Sequence, residues 1–196
     1  DKKKKIKKNR TYKSDILFVG RLEDGKGIIE FVKNIIFLNK KRKVKVNIIG
    51  SGPQRNTAYK ILKKHKIDFN ILENIPHKKI FNYYKNSKVY VSLNTRGNIS
   101  NTNLEAFSSS CAMLLPTFKK PLSKIIDNST RLIFDEKSVF YFKFYKKYDL
   151  AEKIILLLEN NQIRKSKKNK LDYKKKYFLN SWNDRMKQEF EEIIKI

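Results

Sequence analysis

The chain has a single cysteine, Cys111, among its 196 residues. One cysteine excludes an internal disulfide, and no other Cys or His stands beside it at metal-ligand spacing, so a reducing compartment fits the sequence best. Its apolar neighbours indicate a small core residue and not a nucleophile. No apolar run approaches the roughly 20 residues of a membrane-spanning helix, and the beginning of the chain has no secretory signal pattern. A soluble protein is therefore expected, and Asp1 in place of Met indicates a piece of a longer or processed one.

Acidic residues are also scarce: 19 stand against 46 Lys and Arg, which gives a formal net charge of +27. Such an excess favours anionic partners, namely nucleic acid, lipid surfaces or small anions. However, Lys, Asn, Ile, Phe and Tyr are all abundant whereas Gly (6) and Pro (4) are few, a joint bias that an AT-rich genome produces. The lysines are also spread through the whole chain, so most of them are interpreted as solvated surface and not as the footprint of one ligand.

Short apolar runs alternate with stretches of helical spacing along most of the chain. The runs that predict strands are Ile16 to Val19, Val44 to Ile49, Phe69 to Leu72, Val89 to Leu93, Ala112 to Leu115 and Arg131 to Phe134. Short, continuously apolar strands separated by helices are typical of a parallel sheet that is covered on both faces. The sequence therefore predicts an α/β fold, a Rossmann-like parallel sheet of about six strands with helices on both faces.

The remaining stretches are assigned by the same patterns. Helices are predicted from Ile29 to Ile36, from Pro53 in a first turn through Leu62, from Pro76 to Lys85, from the turn before Glu105 through Ser109, and over Leu150 to Leu158, Leu171 to Phe178 and Trp182 to Ile196. The aromatic-rich residues 140–148 are predicted to be a loop or irregular turn. Residues 1–13 are rich in lysine and lack apolar periodicity, which predicts a flexible basic linker or a poorly ordered lead.

The stretch from Gly97 to Ala106 contains the most informative turn. It follows an apolar run and has the pattern of a strand, a small-residue turn and the first turn of a helix. Ser100, Asn101 and Thr102 are good N-cap residues, and the free N–H groups and partial positive charge of a helix start attract phosphate oxygens. Glu105 follows about one turn later, where a carboxylate can accept hydrogen bonds from sugar hydroxyls. Taken alone, such a stretch is more often an ordinary capped helix with a surface Glu.

Two further turns follow predicted strands and contain glycine. One holds Gly20, Arg21 and Lys26, and the other holds Gly50 and Gly52. Since ligands of open parallel sheets bind beyond the carboxyl ends of the strands, these turns and the helix start are expected to share one site, which suits a nucleoside diphosphate. The alternatives are solvated surface cations and an ordinary tight turn, and a lone Gly-x-Gly is weak evidence. The coincidence of all three turns favours the site.

The order and spacing of these motifs resemble the C-terminal domain of a family 4 glycosyltransferase of the two-domain GT-B type. The matching segments are Phe18 to Leu22 with Lys26-Gly27, Ile48 to Pro53, Val89 to Ser92 and Asn98 to Ala106, and the similarity runs from about Asp15 to the end, past Trp182. The resemblance implies the C-terminal half of a GT-B fold, which binds the sugar donor. It also implies that the reaction is transfer of a sugar from a nucleotide-diphosphate sugar, with retention at the anomeric carbon and without an obligatory metal.

The resemblance implies roles for individual residues as well. Arg21 and Lys26 would bind the donor diphosphate and stabilise its charge as the sugar leaves, which makes them the catalytic candidates, and Glu105 would bind the ribose hydroxyls. The other residues implied to contact the donor nucleotide are Gly20, Gly50, Gly52, Leu72, Asn74, Ile75, Asn98, Ser100, Asn101 and Thr102. Within that set, Leu72 to Ile75 would receive the base and the backbone of Ser100 to Thr102 the distal phosphate.

Two positions depart from the family pattern. Many members have a second Glu eight positions before the one that matches Glu105, near the donor sugar, and Gly97 stands there in this chain. Asn98 resembles a variant seen in some members and would lie near the lost carboxylate. The usual glycine after this helix is Ser110 here, and because serine is small little change is expected.

The resemblance implies no cofactor beyond a UDP-sugar or GDP-sugar substrate, and an acceptor that is a cell-surface glycan or is lipid-linked. The enzyme would be cytoplasmic, with basic patches docking it on an anionic membrane face. Residues 14–180 would form the donor-binding domain, and residues 181–196 a helix that crosses toward an N-terminal domain absent from this chain. Two alternatives stay open: a non-catalytic basic α/β module that binds nucleic acid, although no known RNA- or DNA-binding motif is present, and a degenerate transferase that acts as a partner subunit.

Overall fold

The computed structural model describes residues 14–95, 97–118 and 129–178 of the chain. Six parallel strands form one sheet: β1 (Ser14–Val19), β2 (Lys45–Ile49), β3 (Asp68–Leu72), β4 (Ser87–Val91), β5 (Met113–Thr117) and β6 (Phe140–Lys143). Their order across the sheet is β3-β2-β1-β4-β5-β6, and every neighbouring pair is parallel. The predicted α/β fold with a Rossmann-like sheet is thus confirmed. The predicted lead, residues 1–13, and the predicted last helix, Trp182 to Ile196, lie outside the described residues.

Helices fill the connections within the described ranges. They are α1 (Ile28–Lys41), α2 (Arg55–Lys64), α3 (His77–Lys85), α4 (Asn101–Ser108), α5 (Ser129–Ile133), α6 (Asp149–Glu159) and α7 (Asn161–Phe178). None of these helices is long and apolar enough to cross a lipid bilayer.

Two helices begin at other residues than predicted. Helix α2 begins two residues after Pro53, which lies in the preceding turn and not in the first helical turn. Helix α7 begins ten residues before Leu171, because Asn160 caps it by accepting a hydrogen bond from the N–H of Ile163 at 3.0 Å. The run of Lys and Asn between Ile163 and Leu171 leaves almost no apolar period to detect, which is why the sequence pattern misses this part of the helix.

The sheet separates two hydrophobic cores, because successive side chains of a strand point to opposite faces. Ile16 and Phe18 of β1 pack on one face with α1, α2 and α6. Leu17 packs on the other face with α3, α4 and α7. Strand β1 therefore lies between two neighbouring strands and two layers of helices, and it holds the turn that follows it in a fixed place.

Cys111 belongs to the second core, as the sequence predicts. Its side chain is buried, and its thiol donates to the carbonyl of Ser87 at 3.8 Å. Burial raises the pKa of the thiol to about 12, so Cys111 is a packing residue and not a nucleophile at neutral pH.

The sixth strand is not where the sequence predicts it. The residues predicted as that strand, from Arg131, lie largely in the short helix α5, and the strand that pairs with β5 is β6, inside the segment predicted to be a loop. An apolar run of four residues is too short for its spacing to distinguish strand from helix. In β6, Phe142 packs in the first core and Tyr141 in the second. The aromatic residues taken as irregular thus alternate between the two faces of an edge strand.

Candidate functional site

A cleft of about 280 Å³ opens at the carboxyl ends of β1 and β4. These two strands are neighbours at the point where the strand order reverses, and ligands of open α/β sheets bind at such a point. The predicted site residues that line the cleft are Gly20, Arg21, Lys26, Ser100, Asn101 and Thr102. The structure therefore brings together two of the three turns that the sequence predicts to share a site, the one after β1 and the one that begins α4.

The turn after β1 is held closely against the end of β4. A Cβ atom on Gly27 would stand 2.6 Å from the Cβ of Leu93, and the φ of this glycine is +73°. The hydroxyl of Thr95 donates to the carbonyl of Gly25 at 3.1 Å. These contacts fix the turn that carries Lys26 against the residues that follow β4.

The two cations of the cleft differ in their freedom. The guanidinium of Arg21 pairs with the carboxylate of Glu23 at 3.0 Å, and the Arg21 side chain is 68% exposed. Lys26 is partly buried and, among the described residues, has no carboxylate within ion-pair distance. Glu23 is a residue that sequence reasoning missed, although it stands only two positions after Arg21.

The opposite wall is the amino end of α4. Ser100 caps the helix, as predicted, with its hydroxyl accepting from the N–H of Asn103 at 3.3 Å. The N–H groups of Asn101 and Thr102 come before that bond, in the turn whose donors have no acceptor within a helix. Together with the partial positive charge of the helix end they form a surface that attracts anions.

Two buried tyrosines brace this turn of α4 from below. The hydroxyl of Tyr90 donates toward the Thr102 hydroxyl and the Asn103 side-chain oxygen, both at 3.0 Å. The hydroxyl of Tyr84 lies 3.1 Å from the Thr102 carbonyl and 3.1 Å from Oε2 of Glu105. Burial raises the pKa of both tyrosines, so they remain protonated donors. The two rings meet edge to face at 5.3 Å, which locks the pair as a unit.

Glu105, the predicted ribose ligand, is held at both oxygens. Oε2 accepts from Tyr84 as described, and Oε1 lies 2.8 Å from Nε2 of His77. The Glu105 side chain is 14% exposed whereas that of His77 is 68% exposed. Sequence reasoning missed His77, because the contact spans 28 residues and joins the beginning of α3 to α4. Among the described residues no cluster of three or more His, Cys, Asp or Glu could hold a metal ion.

Gly50 and Gly52 do not line the cleft. They pack instead against the backbone of the turn after β1, which does line it. A Cβ on Gly50 would lie 1.9 Å from the carbonyl oxygen of Gly20, and one on Gly52 would lie 2.5 Å from that of Leu22. The N–H of Leu22 donates to the carbonyl of Ser51 at 2.8 Å. The glycines let the backbone of the turn after β2 approach the backbone of the turn that carries Arg21, and so they position it.

The predicted base segment, Leu72 to Ile75, also lies outside the cleft lining. The carbonyl of Leu72 accepts from the N–H of Gly50 at 2.9 Å, and Asn74 adopts a left-handed φ of +52°. Ile75 packs against the core that contains Tyr84. The segment ends two residues before His77, so it runs toward Glu105.

Asn98 lies in the loop between β4 and α4. Its side-chain oxygen accepts from the amide of Asn94 at 2.7 Å, and its backbone carbonyl accepts from the same amide at 3.1 Å. Gly97 lines an adjoining cavity of about 390 Å³, which shares Ser92 and Asn94 with the cleft and also contains Arg131. At Gly97, where the resemblance implies a carboxylate in many family members, this chain therefore has an open space with Arg131 on its wall.

Known glycosyltransferase structures share this fold. A TarM variant from S. aureus, in complex with fondaparinux, α-GlcNAc-glycerol and UDP, is 17% identical with a TM-score of 0.67, over 83% of this chain and 32% of TarM. The pneumococcal O-GlcNAc transferase GtfA, in complex with UDP and GlcNAc, is 18% identical with a TM-score of 0.71, over 93% of this chain and 36% of GtfA. The chain thus spans about a third of the length of these two proteins.

The catalytic domain of the cholesterol-α-glucosyltransferase from Helicobacter pylori is 22% identical with a TM-score of 0.68, and the match covers 83% of this chain and 98% of that one. No functionally curated protein matches the chain in sequence. The model of the family Glycosyl transferases group 1 matches residues 1–177. The motifs, the doubly wound sheet and the family match agree, and the chain belongs to the glycosyl transferases group 1 family.

Proposed function

We propose that this chain is the donor-binding domain of a glycosyltransferase whose sugar is carried by a nucleoside diphosphate. The cleft between β1 and β4 carries this proposal, because Arg21 and Lys26 line it together with the amino end of α4. A diphosphate bears charge on both phosphates, and here cationic side chains and a helix terminus act on it together.

The same groups would assist the chemistry. When the bond between the anomeric carbon and the diphosphate oxygen breaks, negative charge develops on that oxygen, and cations already in place stabilise it. The ion pair of Arg21 with Glu23 does not prevent this role, since exposed ion pairs contribute only about 0–1 kcal/mol and exchange readily for a phosphate. Lys26 supplies a second charge from the same turn.

Glu105 would bind the ribose hydroxyls. Tyr84 fixes Oε2, so the carboxylate keeps its orientation when a ligand arrives. The exposed imidazole of His77 occupies Oε1, and a ribose hydroxyl would replace it there. The neighbouring residues Leu72 to Ile75 would then lie on the side of the base.

UDP is the first carrier to test, because UDP is the nucleotide bound to TarM and GtfA, and GDP is the second. Retention at the anomeric carbon follows from the resemblance to the family. The acceptor, a glycan or lipid-linked sugar, would be bound by the part of the two-domain relatives that this chain does not span. Basic surface residues would dock the complete enzyme on the anionic cytoplasmic face of a membrane.

Isothermal titration of the 196-residue chain with UDP and with GDP tests the donor site. Arg21→Ala and Glu105→Gln should each weaken binding of the preferred nucleotide by about tenfold or more, since hydrogen bonds to charged groups contribute about 1.5–3 kcal/mol. Lys33→Ala and Glu152→Gln remove one exposed charge of each sign away from the cleft and should change affinity less than about twofold.

A folded domain that binds neither nucleotide would contradict the proposed function. So would a loss of nucleotide affinity that is equal in the cleft variants and in the control variants. A nucleic-acid module would behave differently again. It would bind single strands in a salt-sensitive manner, with an affinity that Arg21→Ala leaves unchanged.

A further inference from the structure

A separate cavity, of about 550 Å³, lies at the amino ends of the strands. It is thus on the opposite side from the cleft at the carboxyl ends of β1 and β4, which we call the donor cleft. Its walls are the ends of α3 and α4, the beginning of β4 and one side of α7. Because the strands are parallel, the beginning of β4 at Ser87 and its end at Val91 lie on opposite edges. We call this space the basic cavity, and it is separate from the residues assigned above to the donor.

Cationic side chains dominate the basic cavity. Six of them line it against the single carboxylate of Asp172: Lys85, Lys88, Arg164, Lys165, Lys168 and Lys175. Two are neutralised by neighbours, since Lys88 pairs with Asp15 at 2.7 Å and Lys175 with Asp172 at 3.4 Å.

Three of the cations lack such a partner. Within residues 14–95, 97–118 and 129–178, no carboxylate lies within ion-pair distance of Lys85, Lys165 or Lys168. Like charges held around one concave space raise each other's energy, and an anion between them relieves that repulsion.

Ser109 adds an independent observation. It lines the basic cavity, its residue is only 7% exposed, and its hydroxyl is buried without a hydrogen-bond partner among the described residues. A buried hydroxyl without a partner costs about 1–3 kcal/mol, and such groups are few in native structures. Because Ser109 lines the basic cavity, a rotation of its hydroxyl toward a ligand oxygen there would supply the missing acceptor.

Carbonyl groups accumulate at a helix C-terminus, and at the adjacent end of α4 three of them are engaged by N–H groups of the following residues. The carbonyl of Glu105 accepts from the N–H of Ser109 at 3.0 Å, that of Phe107 from Ser110 at 3.0 Å, and that of Ala106 from Cys111 at 3.1 Å. Three of the last four carbonyls of the helix are therefore satisfied within the chain, and the cavity presents ammonium groups, serine hydroxyls and the carboxylate of Asp172.

We propose that the basic cavity binds a phosphate-bearing ligand with two or more negative charges. Its volume suits a compact ligand and not a polymer, and Lys side chains around a hydroxyl match a tetrahedral, multiply charged anion. The phosphate can belong to a free small molecule or to a lipid headgroup, and the chemistry of recognition is the same for both.

Titration of the 196-residue chain with inorganic pyrophosphate tests the site, carried out in an Arg21→Ala background that weakens binding in the donor cleft. Lys165→Gln with Lys168→Gln should weaken binding at least about tenfold, the loss of two charge-assisted contacts. The matched control is Lys60→Gln with Lys64→Gln, which removes the same charge from the exposed face of α2 and should change affinity less than about twofold.

Ser109→Ala provides a test in which two measurements move in opposite directions. The variant should weaken pyrophosphate binding several-fold, yet without ligand its thermal midpoint should be equal to or above that of the parent, because the hydroxyl has no partner to lose. A hydroxyl with a purely structural role would instead lower the midpoint.

Flotation with vesicles of phosphatidylcholine, with and without phosphatidic acid, distinguishes the two sources. If the chain binds pyrophosphate and this binding needs Lys165 and Lys168, the ligand is a free phosphate compound. If the chain binds only vesicles with phosphatidic acid, and this binding needs the same two lysines, the ligand is a lipid headgroup. The proposed site would be overturned if the Lys165 and Lys168 double variant and the Lys60 and Lys64 double variant lost affinity equally. It would also be overturned if the chain bound neither pyrophosphate nor phosphatidic acid.

Discussion

At the scale of single residues, Tyr84 contacts both the donor-binding turn of α4 and the basic cavity. Its hydroxyl contacts Glu105 and the carbonyl of Thr102, its ring packs on Tyr90, and its other side lines the basic cavity. This donor holds Oε2 of Glu105, so the phenol would act on the nucleotide through the carboxylate.

Tyr84→Phe should therefore weaken binding of the preferred nucleotide about three- to tenfold and lower the free energy of unfolding by about 1–2 kcal/mol. Titration calorimetry and urea denaturation measure the two effects. Tyr83→Phe is the matched control, since its hydroxyl makes no hydrogen bond to a described residue. If both variants lost affinity equally, Tyr84 would not position the carboxylate.

Gly50 can be tested against Gly25, because both have a positive φ and only one is crowded. A Cβ at Gly50 would meet the Gly20 carbonyl at 1.9 Å, whereas a Cβ at Gly25 meets nothing within 4 Å. Gly25→Ala should cost about 1–2 kcal/mol of unfolding free energy through φ alone, and Gly50→Ala about 3 kcal/mol or more, since overpacking adds to it. Equal costs in denaturant titrations would show that the close approach does not constrain this turn.

Part of the site was predictable from local sequence, and part was not. Arg21, Lys26 and Ser100 lie in the segments that follow the ends of β1 and β4, so the parallel topology places them on one side of the sheet. The contacts of His77 and Tyr84 with Glu105 join segments 28 and 21 residues apart, and no spacing rule relates them. Gly50 was predicted to contact the ligand, and the structure places it outside the cleft lining, against the backbone of Gly20.

At the scale of elements, the first five strands were predictable because each contains a short apolar run between turn signals, and in all but β3 most of that run is buried. Strand β6 was not, since it lies at the sheet edge and carries Tyr141 and Lys143 among its few residues. Its placement depends on pairing with β5 from Leu114 to Thr117, a partner far away in the sequence. Strand propensity favoured residues 131–134 over residues 140–143, whereas in the folded chain pairing with β5 makes residues 140–143 the strand.

The turn between α5 and β6 is tied to α7 by an ion pair, and this tie should depend on pH. Partial burial opposes ionisation of Asp135, but hydrogen bonds from Lys174 and Ser138 outweigh it and lower the pKa of the carboxyl to about 2. A carboxyl whose pKa is lower in the folded state stabilises above its unfolded value of about 3.9 and loses that contribution as the pH falls toward 2.

Asp135→Asn should thus lower the thermal midpoint at about pH 6 and have little effect near pH 2. Differential scanning calorimetry at both pH values measures the difference. Glu136→Gln, which removes a neighbouring and more exposed carboxylate, should change the midpoint little at either pH. A pH-independent effect of Asp135→Asn would show that the ion pair with Lys174 does not stabilise the fold.

At the scale of the whole molecule, the net charge of +27 is the dominant property. Mutual repulsion of that many charges destabilises a compact state, and salt screens it. Raising NaCl from about 0.05 to about 0.3 M should therefore raise the thermal midpoint while weakening nucleotide and pyrophosphate binding. Sucrose at matched osmolality is the control, because it does not screen charge. A midpoint that falls with salt would mean that attractive ion pairs outweigh the repulsion.

Helix α4 has its first turn in the donor cleft and its last residues in the wall of the basic cavity. Eight helical residues rise only about 12 Å, so the two ends form one rigid body. If pyrophosphate tightens nucleotide binding by some factor, linkage requires the nucleotide to tighten pyrophosphate binding by the same factor. The affinity of the domain for the phosphate ligand would then depend on the concentration of activated sugar, and its affinity for activated sugar would depend on the concentration of the phosphate ligand.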